Sequence, residues 1–123
     1  MSKEKEKQFA IKWLKVFENR ESNLSRVFGG LELSDDCFAL KYKMDCGESF
    51  CEKYPDALGN PEELAKIIDS VTDSKLLGSA IHSEWRYINH WAYGGENDPK
   101  TREWFVIALR RLAEISSEKR DKP

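Results

Sequence analysis

The chain has little of what marks the familiar chemistries. Its 123 residues include three cysteines and two histidines. An odd cysteine count with no secretory context argues against a disulfide framework, so Cys37, Cys46 and Cys51 are expected to be reduced, buried or idle thiols. No C-x-x-C, H-x3-H or H-E-x-x-H spacing occurs, and neither a metal nor a cofactor is expected. Gly29-Gly30 and Gly94-Gly95 lack the spacing and the lysine of a phosphate loop, and there is no G-x-S-x-G elbow or cysteine-protease signature. No apolar run approaches the ~20 residues that span a bilayer. The opening Met-Ser-Lys-Glu-Lys-Glu-Lys has no signal core, no glycine follows Met1, and the chain ends Arg-Asp-Lys-Pro. A cytoplasmic protein without membrane contact is expected. Net charge is also missing: 20 bases stand against 22 acids, giving −2. Such a balance makes nucleic acid an unlikely partner and supplies no field for an anionic surface.

What the sequence does have is core. Apolar residues make up 40% of the chain, including six Phe, four Trp and four Tyr, enough for one domain spanning residues 1–123. From Glu4 to Arg20, Phe9, Ala10, Trp13, Leu14, Val16 and Phe17 fall within one arc at helical spacing, with the lysines and glutamates outside it. Residues Glu21 to Leu33 carry turn chemistry. Ser34-Asp35-Asp36 reads as a helix start and Gly47 as its stop. The rival is a strand, because residues 37–44 also alternate. An irregular segment around residues 46–60 ends at Asn60-Pro61-Glu62-Glu63, a cap, a proline and first-turn acids that predict a helix from Pro61 to about Ser70. Asp73 or Ser74 can cap the next helix, which runs to Tyr93 before Gly94-Gly95. Asp98-Pro99 opens the last, with Trp104, Phe105, Ala108, Leu109, Leu112 and Ile115 on one face. The expected fold is an all-α compact bundle of about five helices.

The helix from Ser74 to Tyr93 divides into two arcs. Leu76, Leu77, Ala80, Ile81, Trp85, Tyr87, Ile88, Trp91 and Ala92 form an apolar arc broad enough to touch two neighbours, which makes this the central helix. The opposite arc holds Ser79, His82, Ser83, Arg86, Asn89, His90 and Tyr93, with no acid. His82, Arg86 and His90 recur at i, i+4 and i+8, and with Ser79 they form a candidate ligand-binding stripe for a phosphate or carboxylate. The bland alternative is a solvated or inter-helix face. One metal ion cannot join the two histidines, since eight residues of helix put them ~12 Å apart.

Glu84 breaks the apolar arc. A carboxylate there must pair, protonate or reach water. Arg110 or Arg111 of the last helix is the expected partner, and a general acid or base of raised pKa is the functional alternative.

The segments Ser79-Ala80-Ile81, Trp85-Arg86-Tyr87, His90-Trp91 and Trp104-Phe105, followed by Ala108-Leu109 and Arg111-Leu112, resemble small uncharacterised bacterial domain-of-unknown-function proteins. Those proteins pair a W-R-Y-x-x-H-W segment with a closing W-F helix. The likeness covers about Leu76 to Leu112 and implies a compact helical domain without assigning an activity. The residues therefore lead to a non-enzymatic protein-interaction or regulatory domain whose partner is another protein. A domain, enzymatic or not, that binds a small anionic or nucleotide-like ligand is the alternative.

Overall fold

The computed structural model describes residues 2–19, 32–43, 50–91 and 99–117, with side chains for all but Ser2, Glu32 and residues 89–91. Among them are six α-helices and no strand: α1 (Ser2–Glu18), α2 (Glu32–Ala39), α3 (Phe50–Lys53), α4 (Pro61–Ile67), α5 (Ser74–Trp91) and α6 (Pro99–Ser117). A 3-10 turn, Ile68–Ser70, continues α4. The all-α bundle expected from periodicity is the one observed. The additional helix is α3, a single turn inside the segment expected to be irregular. Its buried Phe50 anchors it, and a helix of one turn has no apolar period to betray it.

Helices α4 and α5 start where a side chain satisfies the first amides. Asn60 caps α4 by accepting from the Glu63 amide at 3.2 Å, with Pro61 next in line. Asp73 Oδ1 accepts from the amides of Lys75 and Leu76 at 3.0 and 3.2 Å. The ends of several helices are held from a distance. Arg102 donates to the carbonyls of Phe17 and Asn19 at the end of α1, and Lys3 donates to that of Ile115 near the end of α6. These two contacts place α1 and α6 side by side and antiparallel. Arg111 ties down the chain after α4 through the carbonyls of Asp69 and Val71.

Phe9, Ala10, Trp13 and Phe17 of α1 meet Trp104, Phe105, Ala108, Leu109, Leu112 and Ile115 of α6 in one continuous core with α5. At its centre Phe17 and Phe105 stack with ring centroids 4.6 Å apart, and Trp85 of α5 meets both edge-on at 5.9 Å. Trp104 adds its ring to Phe105 and donates its indole N–H to the Ala57 carbonyl at 2.8 Å. Each such aromatic contributes on the order of 2–3 kcal/mol of apolar burial.

The second helix has the expected type but different ends. It begins at Glu32, so Ser34-Asp35-Asp36 lie inside it instead of capping it, and it ends at Ala39. Gly47 lies outside the described residues. The stop is made by Lys41, at φ +64° the one non-glycine in the left-handed region among the described residues. The Tyr42 amide returns to the Cys37 carbonyl at 2.9 Å and the Lys41 amide to that of Phe38 at 3.0 Å. This is the Schellman closure, made around a lysine where glycine is usual. It turns the chain sharply and lays residues 40–43 across α5.

Candidate functional site

Residues Leu77 through Trp85 of α5 are all buried, so this helix is surrounded on every side over that stretch. The acid-free arc is therefore no solvated surface there. Its covering is the hook formed by residues 40–43. Lys43 donates its amide to Ser79 Oγ at 3.0 Å, and Lys75 Nζ donates to the Leu40 carbonyl at 2.8 Å. The Tyr42 ring rests on Gly78.

His82 makes the third link. Its Nδ1 lies 2.8 Å from the Tyr42 carbonyl oxygen, and because a carbonyl only accepts, Nδ1 carries the proton. Nε2 is then a bare lone pair, buried with no hydrogen-bond partner among the described residues. The Phe38 ring covers the imidazole edge-on, with centroids 4.7 Å apart. Burial drives the imidazole pKa below its ordinary value. The Tyr42 carbonyl opposes this and the positive charge of Arg86 reinforces it. His82 is thus a neutral core residue at neutral pH.

Of the stripe Ser79, His82, Arg86 and His90, the first two are brought together under the hook. Arg86, one turn further on, is exposed, and the side chain of His90 lies outside the described residues. Tyr87, placed with the apolar arc by its spacing, is 56% exposed, and Phe38 is 53% exposed. Phe38 and Arg86 flank His82 from α2 and α5, and Tyr87 follows Arg86. An aromatic ring and a guanidinium are therefore presented to solvent beside a buried imidazole, while Tyr87 points about 140° around α5 from His82.

Glu84 is buried as its position in the apolar arc requires, but the expected partners are occupied elsewhere. Arg110 pairs with Glu18 at 2.8 Å and Arg111 with Glu114 at 3.0 Å. The carboxylate instead lies against Gly59, where a Cβ would stand 3.3 and 3.4 Å from its two oxygens. Gly59 has φ +74°, so the absence of a side chain serves both the turn and the space beside Glu84. No hydrogen bond or ion pair reaches Glu84 among the described residues. Burial alone pushes its carboxyl up to about 7 from an ordinary 4.5.

A second buried acid lies on α1. Glu6 Oε1 accepts from the Tyr42 hydroxyl at 2.7 Å, and Oε2 accepts from Ser74 Oγ at 3.1 Å. Sequence periodicity placed the glutamates of α1 outside its apolar arc, and Glu6 corrects this. The spacing 6, 10, 13, 17 sets Glu6 in line with Ala10, Trp13 and Phe17, a signal that was present to be read. Burial, followed by the hydrogen bond to Glu6, raises the Tyr42 phenol far above its usual range.

The thiols fit their expected roles where they are described. Cys37 is buried, and burial with the nearby Asp36 raises its pKa steeply. Cys37 is a free thiol and Cys51 is half-buried, while Cys46 lies outside the described residues. An open groove between α1 and α2 is lined by Lys5, Gln8, Phe9, Lys12, Asp36 and Leu40. Asp36 there already accepts from Lys12 at 2.8 Å and Trp13 at 2.9 Å. No group of three potential metal ligands and no helix long and apolar enough to cross a membrane occurs among the described residues. Comparison with family models, with curated proteins and with solved structures finds no match to this chain.

Proposed function

We propose that this chain is a non-enzymatic, cytoplasmic interaction domain that docks a partner protein through Phe38 and Arg86. The observation that carries this reading is the setting of Phe38. The ring is half exposed, yet it is held edge-on against a buried imidazole, so it is presented to solvent in a fixed orientation. Aromatic residues and arginine dominate the binding energy of protein interfaces, and a pre-ordered ring loses little entropy on docking. Arg86 supplies the polar half of the match, which calls for a carboxylate on the partner beside an apolar side chain. The free, buried thiol of Cys37 is in keeping with a reducing compartment.

The small-anion reading of Ser79, His82, Arg86 and His90 draws less support. Ser79 and His82 already spend hydrogen bonds on the hook, which leaves Arg86 as the exposed donor. Glu84 has the raised pKa a general acid needs, but its carboxylate faces a turn backbone.

Photo-crosslinking in cells tests the docking. A benzophenone side chain at position 38 is expected to capture one protein, and Arg86→Ala to weaken the capture. The same group at exposed Ala65 of α4 is expected not to capture it. Identical products from positions 38 and 65 would overturn the proposal.

A further inference from the structure

We propose that His82 is a proton-operated latch: taking up a proton at Nε2 detaches the hook of residues 40–43 from α5 and so dismantles the face that presents Phe38. The structural half of this stands alone, while its consequence for partner binding rests on the docking reading above.

Among the described residues the second proton has no acceptor. Nδ1–H is committed to the Tyr42 carbonyl and no described group bonds Nε2, so a new N–H there would be buried and unpaired, a costly state for a charged group. The described charged and titratable groups of α2, α5 and the hook offer no rescue. From α5 the facing charge is the guanidinium of Arg86, which repels an imidazolium. From α2, Cys37 is a buried thiol and Phe38 an uncharged ring. Asp36, on the same helix, accepts from Lys12 and Trp13. In the hook, Lys41 and Lys43 are cations and the Tyr42 hydroxyl is given to Glu6, which Ser74 also occupies. Glu84 projects from α5 two residues on, about 200° around the axis, and meets Gly59 instead.

The element that must yield is small. Among the described residues three hydrogen bonds hold the hook to α5: His82 Nδ1–H to the Tyr42 carbonyl, the Lys43 amide to Ser79 Oγ, and Lys75 Nζ to the Leu40 carbonyl. The eight-residue α2 is too short to persist without its packing. Its opening is a local event that leaves the core between α1, α5 and α6 intact.

Hydrogen exchange on the whole chain tests the latch. Between about pH 7.5 and about pH 5.5, protection in residues 33–43, corrected for intrinsic rates, is expected to fall about tenfold, the linkage of one ordinary histidine proton. Protection in α6 is expected to hold. His82→Asn keeps a donor near the Nδ1 position and cannot titrate, so its hook is expected to show no such fall. Direct NMR titration of the wild-type imidazole decides the matter even if that variant folds poorly. Titration at or above the ordinary histidine value with the hook still protected would overturn the proposal, as would equal loss of protection in wild type and His82→Asn. Since exchange needs no partner, failure of the crosslinking test would leave this result standing.

Discussion

The ring of Tyr42 lies directly on the main chain of Gly78: a Cβ at that position would overlap Cδ1, Cε1 and Cζ of the ring. Glycine in the interior of a buried helix normally weakens it, and here its missing side chain is what admits the hook. Gly78→Ala is therefore expected to destabilise the protein by about 2–4 kcal/mol, by driving Tyr42 off Glu6. In a Tyr42→Ala background the same change should be neutral or stabilising by up to about 1 kcal/mol, because only helix propensity remains. Urea unfolding of the four proteins would show this reversal of sign.

Tyr42→Phe keeps the ring on Gly78 and removes only the hydroxyl that Glu6 accepts. A buried carboxylate losing one of two partners is expected to cost about 1.5–3 kcal/mol. Glu6→Gln in the Tyr42→Phe background should recover part of that loss, since the charge is then gone. Equilibrium denaturation at neutral pH measures both.

Lys41 closes α2 at φ +64°, a conformation that costs a side-chain-bearing residue about 1 kcal/mol or more. Lys41→Gly is expected to raise stability by about 0.5–1 kcal/mol after the entropy glycine loses on folding. A higher melting temperature with unchanged exchange in α6 would be the signature. A lower one would mean that the lysine side chain has a role of its own.

How far these features could be read from sequence differs by element. Asn60-Pro61 and Asp73 announced their helices because capping is local chemistry. The face of α6 followed from its period. The stop of α2 was hidden because a lysine does what a glycine would have advertised. The polar arc of α5 reads as a surface because nothing in its own spacing reveals the hook, whose residues lie some 36 to 40 positions upstream. Ser79 and His82 stand out in the acid-free stripe with Arg86 and His90, but nothing in the sequence points to their partners Lys43 and Tyr42. Phe38 and Tyr87 were missed as exposed aromatics because hydrophobicity alone argues for burial.

Glu84 and His82 should give stability two opposed pH dependences. For Glu84 the folded value, about 7, lies above the ordinary 4.5, so its contribution is full below about pH 4.5 and lost as pH rises through 7. For His82 the folded value lies below the ordinary 6.5, so its contribution is full above about pH 6.5 and lost as pH falls through the folded value. Glu84→Gln removes the first slope. It is expected to add on the order of 3 kcal/mol at about pH 8 and little at about pH 4.5. Denaturation curves of wild type and variant across that range should converge at the acid end. A gain that is constant with pH would show that Glu84 does not hold its proton in the folded state.

The antiparallel pairing of α1 with α6 also dictates an order of events during synthesis. Phe9, Trp13 and Phe17 leave the ribosome well before the α6 side chains that complete their covering, Trp104 to Ile115. At about 5–20 residues per second, α1 spends several seconds with its aromatic face incompletely covered. The nascent chain is then a natural client for holding chaperones, and the bundle closes only after α6 emerges.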